Sequence, residues 1–292
     1  MKNKYWQYIV DGNFSKSQSV DVNFLFNEGN IYISDNHLCA LWGWLHECNP
    51  DEEYTFIHID HHNDLKIPNI VDRLKSIGNA KTFDNFLRYR EIHMDINEEP
   101  FLSYDTYIQI AHYSYPKWFD EILFLTKECN FTETFNECRL NPMKNCKLSD
   151  SFIGAKEKKG ITYSCQLEKV LENMIQGKFQ HKVILNLDID YFFDCDLHIR
   201  DSYWSNEKID EVAELLNTAM KSGNVRVLTI AMSPECCSED GKSNNKPSYQ
   251  PSWGIIERLL RILTDNAKKE FITIMQEKTD INKNSQINEN KN

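Results

Sequence analysis

Two short apolar runs in this chain stop abruptly at carboxylates, and that pattern constrains the fold more than any other feature. Val183-Ile184-Leu185 leads into Asp188-Ile189-Asp190, and Tyr54–Ile57 leads into His58-Ile59-Asp60. A run that is apolar at successive positions suits a strand covered on both faces. Such strands belong to parallel sheets, whose crossovers are usually helices. The stretches between the runs have helical spacing. Ile209, Val212, Leu215, Leu216 and Met220 form one face, and Gly223 stands where a helix C-cap belongs.

The same reading along the chain predicts strands at Asn30–Ser34, Tyr54–Asp60, Glu121–Leu125, Lys182–Asp190, Arg226–Met232 and Phe271–Met275. It predicts helices at about His37–Glu47, Thr82–Ile92, Tyr104–Tyr113 and Gln166–Ile175. Another begins at Pro251, which is tolerated in a first turn, and carries Ile255, Leu259, Leu260 and Leu263. Alternation of this kind implies a three-layer α/β/α domain with a mainly parallel sheet. The domain is expected over residues 1–278. Residues 127–163 are polar with few periodic apolar positions and read as an insertion or lid of loops. Residues 279–292, rich in Asn and Lys, read as a disordered tail.

Composition supports a folded chain and narrows its partners. Of 292 residues, 41% are hydrophobic, enough for a sizeable core. A net charge of −11 argues against a nucleic-acid coat, which needs clustered Lys and Arg. No segment reaches the ~18–20 apolar residues of a membrane span, and Trp6–Val10 is too short for a signal-peptide core. The expectation is a cytoplasmic protein. Its nine cysteines include no CxxC pair. Cys129, Cys138 and Cys146 are too widely spread for a zinc knuckle, and adjacent Cys236 and Cys237 are poorly placed to bridge each other. They read as reduced thiols, mostly buried.

The chemistry concentrates at strand ends, where open α/β sheets bind ligands. Asp60, His62 and Asp64 are spaced i, i+2, i+4 in His58-Ile59-Asp60-His61-His62-Asn63-Asp64. A chain that stayed extended there would point all three the same way. Asp188 and Asp190 repeat the i, i+2 spacing. Two carboxylates so placed repel unless a cation or protons intervene. His37, in Ser34-Asp35-Asn36-His37 after the first expected strand, is the sixth candidate ligand. Carboxylates with imidazoles suit hard and borderline divalent ions. The same residues also fit a polar loop with satisfied histidines and a capping aspartate.

At this point the sequence resembles the arginase-like ureohydrolases. Those enzymes carry Gly-Asp-His, Asp-Ala-His-x-Asp and Asp-x-Asp motifs, each after a strand of a parallel sheet. Ser34–His37, Asp60–Asp64 and Asp188–Asp190 follow that order, with His61 in place of the usual small residue. Leu187–Phe192, Asn36-His37 before a Trp-bearing helix, and Ser233-Pro234-Glu235 look like the branch that includes the peptide arginases, which convert arginine in a peptide to ornithine and urea. The resemblance spans Ile31 to Cys237, with long gaps. It implies two Mn²⁺ ions, with Asp60 and Asp188 bridging, His37 and Asp64 completing one site, and His62 and Asp190 the other. It also implies that Asp64 accepts a hydrogen bond from a metal-held hydroxide. Glu235 would pair with the substrate guanidinium, unless it is simply a surface acid. His112 is a candidate proton shuttle, set against a structural place in the pattern Tyr107, Ile110, Ala111.

The expected function is hydrolysis of a guanidino group, on free arginine, another guanidino compound or a peptide arginine. A single-zinc, deacetylase-like amide hydrolase on the same scaffold is an alternative, against which Asp190 argues. A non-catalytic metal-binding protein is another. Asp60-His61-His62 also spells the motif of the DHH phosphoesterases, but no Asp-x-Asp precedes it here. Trp42-Gly43-Trp44 is assigned no functional role.

Overall fold

A computed structural model of the chain describes residues 5–9, 20–66, 76–92, 100–126, 161–193, 204–234, 236–237 and 250–276. Seven strands form one sheet: β1 (Tyr5–Ile9), β2 (Phe24–Glu28), β3 (Ile31–Ser34), β4 (Thr55–Asp60), β5 (Glu121–Thr126), β6 (Val183–Asp188) and β7 (Val225–Ala231), in the order β1-β2-β3-β7-β6-β4-β5. From β3 to β5 every neighbouring pair is parallel, and β1 and β2 extend the sheet as antiparallel strands. The described helices are α1 (Leu38–Glu47), α2 (Phe83–Leu87), α3 (Tyr107–Ser114), α4 (Ile161–Ile175), α5 (Asn206–Lys221) and α6 (Gln250–Leu259). Residues 265–276 are also helical.

The sheet is covered on both faces because its strands are apolar on both. Ile57 and Ile59 of β4, Leu123 and Leu125 of β5, and Val183, Leu185 and Leu187 of β6 pack with α4, α5, α6 and residues 267–275. The alternate side chains Phe56, Ile122, Phe124, Ile184 and Val227 pack with α1, α2 and α3. Opposite pointing of successive strand residues divides each run between two cores. The layers are therefore helix, sheet, helix, as the sequence implied.

The helices begin and end where local chemistry allows. Thr82 accepts a bond from the Asn85 amide at the head of α2, and Ser205 accepts from the Lys208 amide at the head of α5. Gly223, beyond α5, has φ +77, the left-handed conformation a C-terminal cap requires. Within α1, a Cβ at Gly43 would lie 3.0 Å from Tyr32 Cγ and 3.1 Å from Thr229 Cγ2. Only glycine lets the helix approach β3 and β7 so closely. Trp42 and Trp44 flank it in the core.

Several expectations need correction. The segment read as a last strand, Phe271–Met275, is helical. Ala267, Phe271 and Met275 are buried four residues apart, and Phe271 lies against Phe24 and Phe26 of β2. The alternating appearance of Phe-Ile-Thr-Ile-Met concealed that spacing. The strand expected over Lys182–Asp190 stops at Asp188 and turns into a 3-10 helix, Ile189–Phe192. The helix expected over Thr82–Ile92 is the short α2 followed by a 3-10 turn, Arg88–Glu91. Strands β1 and β2 were not anticipated. Residues 161–163, assigned to loops, belong to α4. The rest of the proposed insertion, 127–160, and the proposed tail, 279–292, lie outside the described residues. Among the described residues no helix is long and apolar enough to cross a membrane.

Candidate metal centre

Register brings the candidate ligands to one edge. Ser34 of β3 and Asp188 of β6 both pair with Ala231 of β7, and Ile59 of β4 pairs with Leu187 of β6. Three parallel strands thus end level with one another, and His37, Asp60 and Asp188 emerge side by side. This is the carboxyl-end edge where α/β sheets place their ligands.

Local turns then aim the side chains. After Ser34 the chain is pinned by Asp35, whose carboxylate accepts bonds from the amides of Asn23 and Phe24 and from the Asn23 side chain. Asn36 Oδ1 accepts from the Leu38 amide, and His37 sits at the N-cap of α1. After β4 the chain does not stay extended as expected. Asp60 Oδ1 accepts from the His62 amide at 2.7 Å, which closes a tight turn. Asn63 does the same for the Leu65 amide, and Asp64 between them has φ +51. Asp188 Oδ1 accepts from the Asp190 amide at 3.0 Å and caps the following 3-10 helix. Side-chain convergence comes from these turns rather than from strand alternation.

Two groups result. In the inner one, His37 Nδ1 lies 3.3 Å from Asp60 Oδ2, 2.8 Å from Asp64 Oδ2 and 3.2 Å from Asp188 Oδ2. All four residues are buried. In the outer one, His62 Nδ1 lies 3.0 Å from Asp190 Oδ2 and 3.7 Å from Asp60 Oδ1. His62 is 39% exposed, so this group lies on the solvent side of the inner one. Asp60 presents one oxygen to each group. Asp188 meets His37 of the inner group through Oδ2, while its Oδ1 accepts from the Asp190 amide.

The donor set fits divalent ions. Donor atoms about 2.1 Å from an ion sit ~3 Å apart along an octahedral edge, and the His37 distances fall around that value. Oδ2 of Asp60 is buried without a hydrogen-bond partner, and buried Oδ2 of Asp190 has the His62 imidazole 3.0 Å away. Burying carboxylates uncompensated costs several kcal/mol each. Burial, together with Asp190, Asp64 and Asp188, pushes the Asp60 carboxyl well above its usual range. Burial and Asp190 raise Asp188 to about 7. Burial would lower His37, but Asp188, Asp64 and Asp60 outweigh it and raise the imidazole to about 10. For Asp190 too burial is outweighed, and the bond and charge of His62 hold it below its usual range. Without a cation, protons must hold these carboxylates together.

A polar row lies directly beneath. His58, Asn186 and Thr229 are level across β4, β6 and β7. Thr229 Oγ1 donates to Asn186 Oδ1 at 2.7 Å, and Asn186 Nδ2 donates to His58 Nδ1 at 2.9 Å and to the Tyr107 hydroxyl at 2.7 Å. Tyr107 donates in turn to Asp64 Oδ2 at 3.3 Å. An acceptor at Nδ1 leaves the proton of neutral His58 on Nε2, which lies 3.3 Å from Asp60 Oδ2. Burial depresses His58 to about 3, so it stays neutral. The row holds Asp60 and Asp64 in place, as supporting residues do around metal ligands. Asn186, a polar residue within the apolar run of β6, was the sequence signal for it.

All six expected ligands therefore converge. His112 does not join them. It is five residues along α3 from Tyr107, ~7.5 Å up the helix axis, with its ring against Phe119 and its Nδ1 unbonded. Burial lowers it to about 4. Glu235 lies outside the described residues. Its neighbour Ser233, to which no role was given, has φ +39 and donates to Asp188 Oδ2 at 2.6 Å. No protein-family model matches the chain, and no curated protein matches it.

Proposed function

We propose that this chain is a hydrolase built around a pair of divalent ions, and that it cleaves a guanidino group, such as that of arginine, with release of urea. The observation that carries the first half is Asp60. Its two oxygens face separate His–carboxylate groups, which is what a ligand shared between two ions requires. His37, Asp64 and Asp188 would hold the inner ion with Asp60, and His62 and Asp190 the outer one. Bound together, such ions lower the pKa of water enough to supply a hydroxide at neutral pH.

The chain's own residues would do the rest. Asp64, steadied by Tyr107 and His37, faces the inner group with a carboxylate able to accept a proton. Ser233 fixes Asp188 from the side of β7. A single-ion amide hydrolase on this scaffold would leave the His62–Asp190 pair without a task. The guanidino substrate is supported by the resemblance in motif order.

The test is a urea-release assay on Mn²⁺-loaded protein with free arginine, other guanidino compounds and arginine-containing peptides. Urea from any of them supports the reading. A protein that binds two ions and releases none would overturn the guanidino assignment.

A further inference from the structure

We infer that the thiol of Cys236 is a ligand of the outer ion, so that the His62–Asp190 group closes on sulfur as well as on nitrogen and oxygen. The inference rests on the two-ion reading and adds a donor that the arginase-like motif order does not contain. Its basis is geometric. One donor atom each from His62, Asp190 and Cys236 lie within 4.8 Å of one another. Asp190 Oδ2, in the same group, is fully buried and lies 3.0 Å from His62 Nδ1, without a hydrogen bond of good geometry. The group therefore gathers a buried carboxylate oxygen and an imidazole nitrogen independently of the cysteine.

The loop after β7 is built to deliver that sulfur. The Met232 amide donates to Ser34 O at 2.9 Å and the Ser233 amide to Asp35 O at 3.2 Å, which ties the loop to the strand end carrying His37. The Ser233 side chain ties it to Asp188. The Cys236 amide then closes a turn on Ser233 O at 3.0 Å. Adjacent Cys237 points the other way. It is buried, and its Sγ donates to Met232 O at 3.6 Å. Cys236 is half-buried beside the half-exposed His62. The two neighbouring thiols are thus divided between core and metal group.

On binding, a bond forms between Sγ and the ion, and the thiol proton leaves to solvent. A thiolate in place of a further oxygen shifts preference toward softer ions such as Zn²⁺, Cd²⁺ and Co²⁺.

The test is Co²⁺ titration of the full-length protein, followed by near-ultraviolet absorption, where thiolate-to-Co²⁺ charge transfer appears. Two Co²⁺ per chain are expected, with the band growing as the outer site fills. Cys236→Ser should still bind Co²⁺ but lose the band, and bind Cd²⁺ at least ~10-fold more weakly. Cys237→Ser should keep the band. Mapping of alkylated cysteines gives a readout free of substitution, because bound metal should protect Cys236 in the unaltered protein. Two ions without a band, or a band unchanged in Cys236→Ser, overturns the ligand role and leaves the ion pair standing. Fewer than two ions in both proteins overturns both.

Discussion

Nδ1 of His37 lies 2.8 Å from Oδ2 of Asp64, although 27 residues and a whole helix separate them in sequence. The contact exists because β3 and β4 end level in the sheet and because Asp64 adopts φ +51. It draws the head of α1 and the turn after β4 into one charged cluster, whose balance depends on what lies between the side chains.

The first consequence is a dependence of metal affinity on pH. An ion must displace the proton that Asp188 holds up to about pH 7 and the one that His37 holds up to about pH 10. Mn²⁺ affinity is expected to rise with pH throughout, by at least ~100-fold per unit below about pH 6, where both protons must leave, and by ~10-fold per unit from about pH 8 towards pH 10. Calorimetry in buffers of different ionisation enthalpy counts the released protons. An affinity flat across this range would contradict the cluster's electrostatics.

The second concerns the metal-free protein. A carboxyl raised from its ordinary 3.8 to about 7 keeps a proton that the unfolded chain has lost. Its contribution to stability is complete below about pH 4 and disappears as pH rises to 7. Metal-free protein should therefore lose stability across pH 4–7, by a few kcal/mol from Asp188. Asp188→Asn should remove most of that slope and raise the metal-free Tm at pH 7.5, while abolishing tight binding at the inner site. Thermal denaturation with a chelator present measures both.

The third separates the two groups. Asp190→Asn removes a carboxylate donor of the outer group, where it lies 3.0 Å from His62 Nδ1. It should bind about one Mn²⁺ where the unaltered protein binds two, and turnover should fall by on the order of 10²–10³. Asp60→Asn should weaken both sites. Elemental analysis of gel-filtered protein distinguishes these patterns.

The fourth tests the polar row. Tyr107→Phe removes a donor to Asp64 and an acceptor for Asn186. It should lower stability by about 1–3 kcal/mol and metal affinity by about 10- to 100-fold. Gly43→Ala should also be felt at the centre. Its Cβ would press on Tyr32 and Thr229 and shift the helix that His37 begins, at a cost of about 1–3 kcal/mol. Denaturant titration and Mn²⁺ binding report the two effects separately.

Most of the fold was legible where strands are apolar on both faces, as at Ile184 and Leu185, because no other element buries such a run comfortably. The six ligands were legible because ionisable residues crowd the ends of those runs. Phe271 was misread because five residues cannot distinguish alternation from a four-residue helical repeat. The extended geometry assumed for Asp60–Asp64 failed because Asp60 and Asn63 each bond the backbone amide two residues on, and closing that bond bends the chain. Tyr107 and Ser233 were missed for a different reason. Ser233 was noted only as part of Ser233-Pro234-Glu235 and Tyr107 only as part of an apolar pattern, and it is the approach of α3 to Asn186 and the turn after β7 that give them their partners.

The central claim is that Asp60 is shared between two ions. Its most direct test is the Mn²⁺ content of chelator-treated, reloaded protein after removal of free metal. The account predicts two Mn²⁺ per chain, and near-complete loss of both in Asp60→Asn. One ion per chain, or a second ion that survives that substitution, would contradict it.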